Sequence, residues 1–228
     1  MEAASHSRAY FDRQLQRVRE DILLLGSMAE KSIERSVEAL RRRDTDLAQA
    51  VIDDDRWIDD RTYEVEEQIL LLIATQQPMA SDLRGLAAAL FIITELERMG
   101  DYAEGIAKIA LASADQPPLK PLIDIPRMAG IATSMLHRSL QAFIDQDLEA
   151  CRAIWHEDDD VDNLYTQVYR ELLTFMLEDP STIERATQLL WAAHNLERIA
   201  DRVTNVCERT AFVITGNPRE LPGRVDPD

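Results

Sequence analysis

Glu97-Arg98-Met99-Gly100-Asp101 and Glu197-Arg198-Ile199-Ala200-Asp201 lie one hundred residues apart and read almost alike. In each, a Glu and an Asp four residues apart share one face of a helix with an Arg beside them. Like charges at that spacing repel, so each pair needs a neutralising partner. An all-oxygen donor set suits hard cations, and the chemistry these residues point to is cation binding.

Spacing alone is a weak signal. With 42 acidic residues in 228, chance gives roughly eight acidic pairs four apart, and eight is what the chain contains. Glu30/Glu34, Glu34/Glu38, Asp60/Glu64 and Asp145/Glu149 read as solvated helix faces. The other four pairs are informative because they recur. Besides the two Glu-Arg motifs, Asp55-x-x-Ile58-Asp59 matches Asp158-x-x-Val161-Asp162.

Positioning those pairs requires helices. Leu, Ala, Glu, Arg and Gln are abundant and glycines number only seven, a composition that favours helix. Apolar residues at three- and four-residue steps predict six helices. The first runs from about Tyr10 to Arg43. The second, capped by Asp44 or Asp46, carries Val51, Ile58, Val65 and Ile69; the third, capped by Ser81, carries Leu86, Leu90, Ile93 and Ile106. Met128, Ile131 and Met135 mark the fourth, Ile154, Val161 and Val168 the fifth, and Leu190, Leu196 and Val203 the sixth. Prolines punctuate this map: Pro78 and Pro180 at turns, Pro117, Pro118, Pro121 and Pro126 in a linker, and Pro218, Pro222 and Pro227 in a tail. Pro126 also suits the first turn of a helix. The expected fold is all-α, two tandem antiparallel three-helix bundles born of an internal duplication. Residues 10–114 form the first bundle, 115–126 the linker, 127–216 the second bundle and 217–228 the tail.

Register follows from this map. If helix two ends near Gln76 and an antiparallel helix three starts near Ser81, Asp55 lies beside Asp101 and Asp59 beside Glu97. The same construction sets Asp158 and Asp162 beside Asp201 and Glu197. Each bundle therefore gathers four carboxylates, which require protonation, Arg partners or a cation. Asn205 and Glu208 follow on the face of the second motif as further candidate ligands, whereas the first motif has Gly105 in place of the Asn, with Glu104 nearby. The second site is thus expected to be the better furnished. Arg98 and Arg198 are the rival, as intrahelical salt-bridge partners. His156 and His194 flank acidic residues, His137 and His6 have no informative context, and Trp57, Trp155 and Trp191 suit core or interface packing.

A formal charge of −17 excludes nucleic acid as a partner. Apolar runs such as Leu86 to Ile93 are too short to span a bilayer, so no membrane insertion is expected, and residues 1–10 lack the apolar core of a signal peptide. Cys151 and Cys207 form neither a CxxC nor a metal-ligand pattern and read as buried thiols of a reducing cytoplasm.

At these residues the chain resembles the PhoU family of phosphate-signalling accessory proteins. The resemblance rests on Gln77-Pro78-Met79-Ala80-Ser81-Asp82-Leu83-Arg84, on Glu95-Leu96-Glu97-Arg98-Met99-Gly100-Asp101-Tyr102-Ala103, and on Asn195-Leu196-Glu197-Arg198-Ile199-Ala200-Asp201 with Asn205. It covers nearly all of residues 10–215. Gly105 where the family usually has Asn, and Arg202 where His is common, depart from it and bear on whether both sites fill equally. The resemblance implies a homodimeric, non-enzymatic, cytoplasmic regulator that represses phosphate uptake and the phosphate-starvation response. It implies metal ions (iron, manganese, magnesium or zinc) at the acidic motifs. It also implies two partners, the ATPase subunit of a phosphate ABC transporter and a phosphate-sensing histidine kinase. The competing readings are a helical adaptor whose carboxylates only make salt bridges, and a carboxylate di-iron enzyme. The latter typically uses Glu-x-x-His, and no His here has a Glu three residues before it.

Overall fold

The computed structural model describes residues 2–221, with side chains from Ala9 onward. Six long helices occupy them: α1 Glu2–Arg42, α2 Thr45–Gln76, α3 Ser81–Ser113, α4 Asp124–Asp145, α5 Leu148–Glu178 and α6 Ile183–Thr215. A 3₁₀ turn, Pro180–Thr182, precedes α6. The apolar three-and-four periodicity becomes one continuous core, with Ile22, Leu25, Ile33, Ile69, Leu96 and Met99 among its fully buried side chains.

Caps repeat along with the helices. Asp44 accepts from the Leu47 amide at 2.9 Å, and its counterpart Asp147 accepts from the Ala150 amide at 3.0 Å. Each satisfies an orphan donor at the start of an outer helix. The α3 cap differs from expectation. Ser81 is the first helical residue, and Ala80, at φ 46°, stands at the cap position without a side-chain bond. The linker is also shorter than expected, because α4 begins at Asp124 and takes Pro126 into its first turn, where proline's missing N–H costs nothing.

Within each repeat the third helix packs on the other two, and the repeats join through α1 against α4 and α3 against α6. Helices α2 and α5 are the outer members. Gly26 permits the α1–α4 approach: a Cβ there would lie 2.1 Å from Leu140 Cδ1. Helices α3 and α6 cross antiparallel about a pseudo-twofold axis. Asn205 donates to Glu95 at 3.1 Å, and Asn195, the counterpart of Glu95 in the second repeat, donates to the Tyr102 carbonyl at 3.4 Å. Cys151 and Cys207 are buried and free. They face each other across α5 and α6, where the contact with Cys151 and burial push the Cys207 thiol up. No helix among the described residues is long and apolar enough to cross a membrane. Trp57 and Trp191 are not core residues of this chain; both stand more than half exposed. His6, Pro222 and Pro227 lie outside the described side chains.

Candidate metal centres

Only three acids are buried among the described residues: Asp55, Glu95 and Asp158. Two of them, Asp55 and Asp158, are outer-helix members of the expected quartets. Asp55 is 9 % exposed and its Oδ1 has no hydrogen-bond partner. It faces α3 at Gly100, where a Cβ would lie 3.1 Å from that oxygen; the missing side chain leaves the carboxylate its room. Burial, followed by Asp59, Glu104, Asp101 and Glu97, pushes the Asp55 carboxyl up to about 7. Glu97 is raised by burial, Asp101 and Asp59. Asp101 is raised by burial, Asp59 and Glu104. Structure therefore brings Asp55, Asp59, Glu97 and Asp101 together, with Glu104 as a fifth member that spacing alone did not assign.

The second cluster is built alike from α5 and α6. Asp158 is fully buried. Burial, then Asp201, Asp162 and Asp158, push the Glu197 carboxyl up to about 7, against the pull of Arg198. Its surroundings differ. Arg198 donates to Asp201 at 3.0 Å and also reaches Tyr102 across the bundle interface. His194 Nδ1 stands 3.3 Å from Glu197, and burial lowers its pKa. In the first cluster, Arg98 contacts Glu95 at 3.5 Å and Lys108 contacts Glu104, and both act on Asp101 through space.

Asn205 and Glu208 stand elsewhere. The Asn205 amide is spent on Glu95. Glu208 accepts a hydrogen bond from the Trp155 indole, and burial raises its carboxyl. Neither is among the groups that shift Glu197. His156 stacks edge-on against Trp155, and His137 lies 3.3 Å from Glu30 at the surface.

Sequence reasoning missed Glu95. It is 2 % exposed and held by Arg98, by Asn205 and, at 3.4 Å, by Arg202. Its signal was an acid set on the apolar stripe of α3, three residues after Ile92 and four before Met99. The close approach at Gly105 was equally unread: a Cβ there would fall 2.7 Å from Asn195 Nδ2.

An unpartnered, buried carboxylate oxygen among four further acids fits a hard cation. The donors do not form a closed cage as they stand: among the described residues no group of three or more His, Cys, Asp or Glu is arranged to hold an ion. An ion here would draw the carboxylates inward, as flexible oxygen ligands allow.

Comparison with known proteins decides the family. The PhoU domain profile matches residues 22–110 and again 125–210. The chain belongs to the PhoU family. It is 39 % identical over 216 residues to the phosphate-specific transport system accessory protein PhoU homolog of Clostridium acetobutylicum, covering 94 % of this chain and 99 % of that protein. It is 33 % identical to the phosphate-specific transport system accessory protein PhoU of Escherichia coli K12, over 92 % of this chain and 88 % of the other. The solved structure of PhoU from Pseudomonas aeruginosa superposes with a TM-score of 0.87 at 31 % identity, covering 91 % of this chain and all of that one. The doubled PhoU domain is the internal duplication seen in the sequence.

Proposed function

We propose that this PhoU-family protein is an accessory regulator of a phosphate-specific transport system. It represses phosphate uptake and the phosphate-starvation response while phosphate is plentiful. The observation that carries the reading is the pair of carboxylate clusters at equivalent places in two PhoU domains. Asp55, Asp59, Glu97 and Asp101 would hold a hard metal ion in the first domain, and Asp158, Asp162, Glu197 and Asp201 in the second. The ion would add positive charge to the first cluster, where Arg98 and Lys108 are already paired with Glu95 and Glu104. The protein works by binding rather than catalysis, as a cytoplasmic homodimer, with the transporter ATPase subunit and a sensor histidine kinase as partners.

One observation favours a second reading for the second cluster. The Arg198–Asp201 contact balances part of its charge from within, so that domain can serve as a salt-bridged scaffold without an ion.

Deleting the gene tests the regulatory role: phosphatase and transporter expression should rise in phosphate-replete cells, and unchanged expression would sink it. Elemental analysis of the purified protein tests the ion. Wild type should carry metal that Asp101→Ala and Asp201→Ala variants lose. A metal-free wild type whose melting temperature ignores Mn²⁺, Fe³⁺ and Mg²⁺ would refute that part.

A further inference from the structure

We propose that the hollow between the two domains, walled by the proline-rich connection, binds a small phosphate ester with an apolar or aromatic body. The hollow measures about 370 Å³, within the range of small-molecule sites, which run from roughly 300 to 1,000 Å³. It is assembled from the end of α1, the end of α3, the connection 116–122 and the start of α6.

Its charge is opposite to that of the molecule. In a chain with 42 acids against 25 bases, the charged residues lining this hollow are Arg41, Arg43, Lys120 and Arg185, and no acid among the described residues lines it. Two of these cations are already engaged by carboxylates, Arg41 by Glu38 and Lys120 by Glu171. The other two are not. Arg43 donates to the Ala114 carbonyl and Arg185 to the Pro117 carbonyl at 3.1 Å. Asp179 lies within electrostatic reach of Arg185 but outside the lining. A guanidinium carries five donors, so each keeps most of its fork free.

Those forks select the ligand. Two guanidiniums, one from the α1–α2 turn and one from α6, suit a group with three oxygens and close to two negative charges, which a terminal phosphate offers. A planar carboxylate is satisfied by one Arg. Ser113, Gln116 and Gln188 add polar groups to the wall, and the remainder is apolar, with Leu40, Leu119, Leu122 and Leu189 beside three prolines. The apolar part of the wall favours a body that buries carbon, which inorganic phosphate lacks. A bound ester ties both domains to their connection. The site is separate from the carboxylate clusters and does not depend on their filling.

Isothermal titration of the full chain with AMP, phenyl phosphate, adenosine and inorganic phosphate tests this. The expected result is saturable binding of AMP or phenyl phosphate, at least tenfold tighter than adenosine or inorganic phosphate. An Arg43→Gln/Arg185→Gln variant should weaken it at least tenfold. Ser113→Phe, which fills the hollow and removes no charge, should do the same with an unchanged circular dichroism spectrum. Asp55→Asn/Asp101→Asn should bind the ester as wild type does, which separates this site from an ion in the first cluster. Three results would overturn the proposal: no saturable binding of either ester, equal binding of inorganic phosphate, or ester binding that survives both hollow variants.

Discussion

The two carboxylate clusters are copies in position and strangers in surroundings. Both set a buried outer-helix Asp opposite a Glu–Asp pair, and in both one carboxyl is pushed up to about 7. In the second domain Arg198 and His194 sit against the cluster. In the first domain the equivalent Arg faces Glu95, and a further acid, Glu104, acts on Asp55 and Asp101. Duplication preserved the register of the acids, because helical period and hairpin geometry fix it. It did not preserve the counter-charges, which hang on long side chains that adapt to whatever lies across the α3–α6 crossing.

The largest test of that contrast is pH. Asp55 titrates near 7 when folded and near 4 when unfolded. Between those values the folded state keeps a proton the unfolded chain has lost. In ion-free protein the Asp55 contribution to stability is therefore fully present below about pH 4, falls as pH rises, and is gone above about 7. The span corresponds to at most about 4 kcal/mol for Asp55, reduced by solvent screening and spread over a broad range by its coupled neighbours. Glu197 follows the same sign. Asp55→Asn should remove one part of the descent and Glu197→Gln the other, measured by denaturant unfolding from pH 4 to 8. A flat profile in the wild type would break the comparison at its base.

Added metal comes next. An ion at a thousand times its Kd stabilises by about 4 kcal/mol. Asp55→Asn/Asp101→Asn should abolish most of the Mn²⁺- or Mg²⁺-induced rise in melting temperature, and Asp158→Asn/Asp201→Asn less of it. The reverse order would mean that Arg198 and His194 move aside more readily than their contacts suggest.

A third test addresses the crossing that makes the surroundings differ. Glu95→Ala leaves Arg202 and Asn205 partly buried without their acceptor and should cost about 3 kcal/mol in denaturant unfolding. Its effect on ion response should fall on the first domain, because Arg98 is then free to turn toward Asp101. The smallest expected change is Arg198→Gln. It removes a partly exposed pair worth about 1 kcal/mol and should make the second cluster respond to ions as the first does. If its ion response stays unchanged, the Arg is not what separates the two domains.

Much of this was legible in the residues. Apolar period, proline placement and the Asp44 and Asp147 caps follow from local rules, so the six helices and the duplication could be read from text. Convergence of the quartets could be read too, because antiparallel register needs only helix ends. Ser81 was misread as a cap because an Ala at φ 46° gives no sequence signal. Asn205 and Glu208 were read as ligands because they share a helix face with the motif. A face names a direction but not its partner, and the partners across it proved to be Glu95 and Trp155.

The sequence by itself determined the helices, their repetition and which acids meet, since each depends on a few neighbours along the chain and on the fixed pitch of the α-helix. Tertiary structure alone decided which acids are buried, which Arg balances which carboxylate, and that a cationic hollow opens beside the connection. Those depend on how two bundles dock, where desolvation and side-chain reach act between residues about one hundred positions apart.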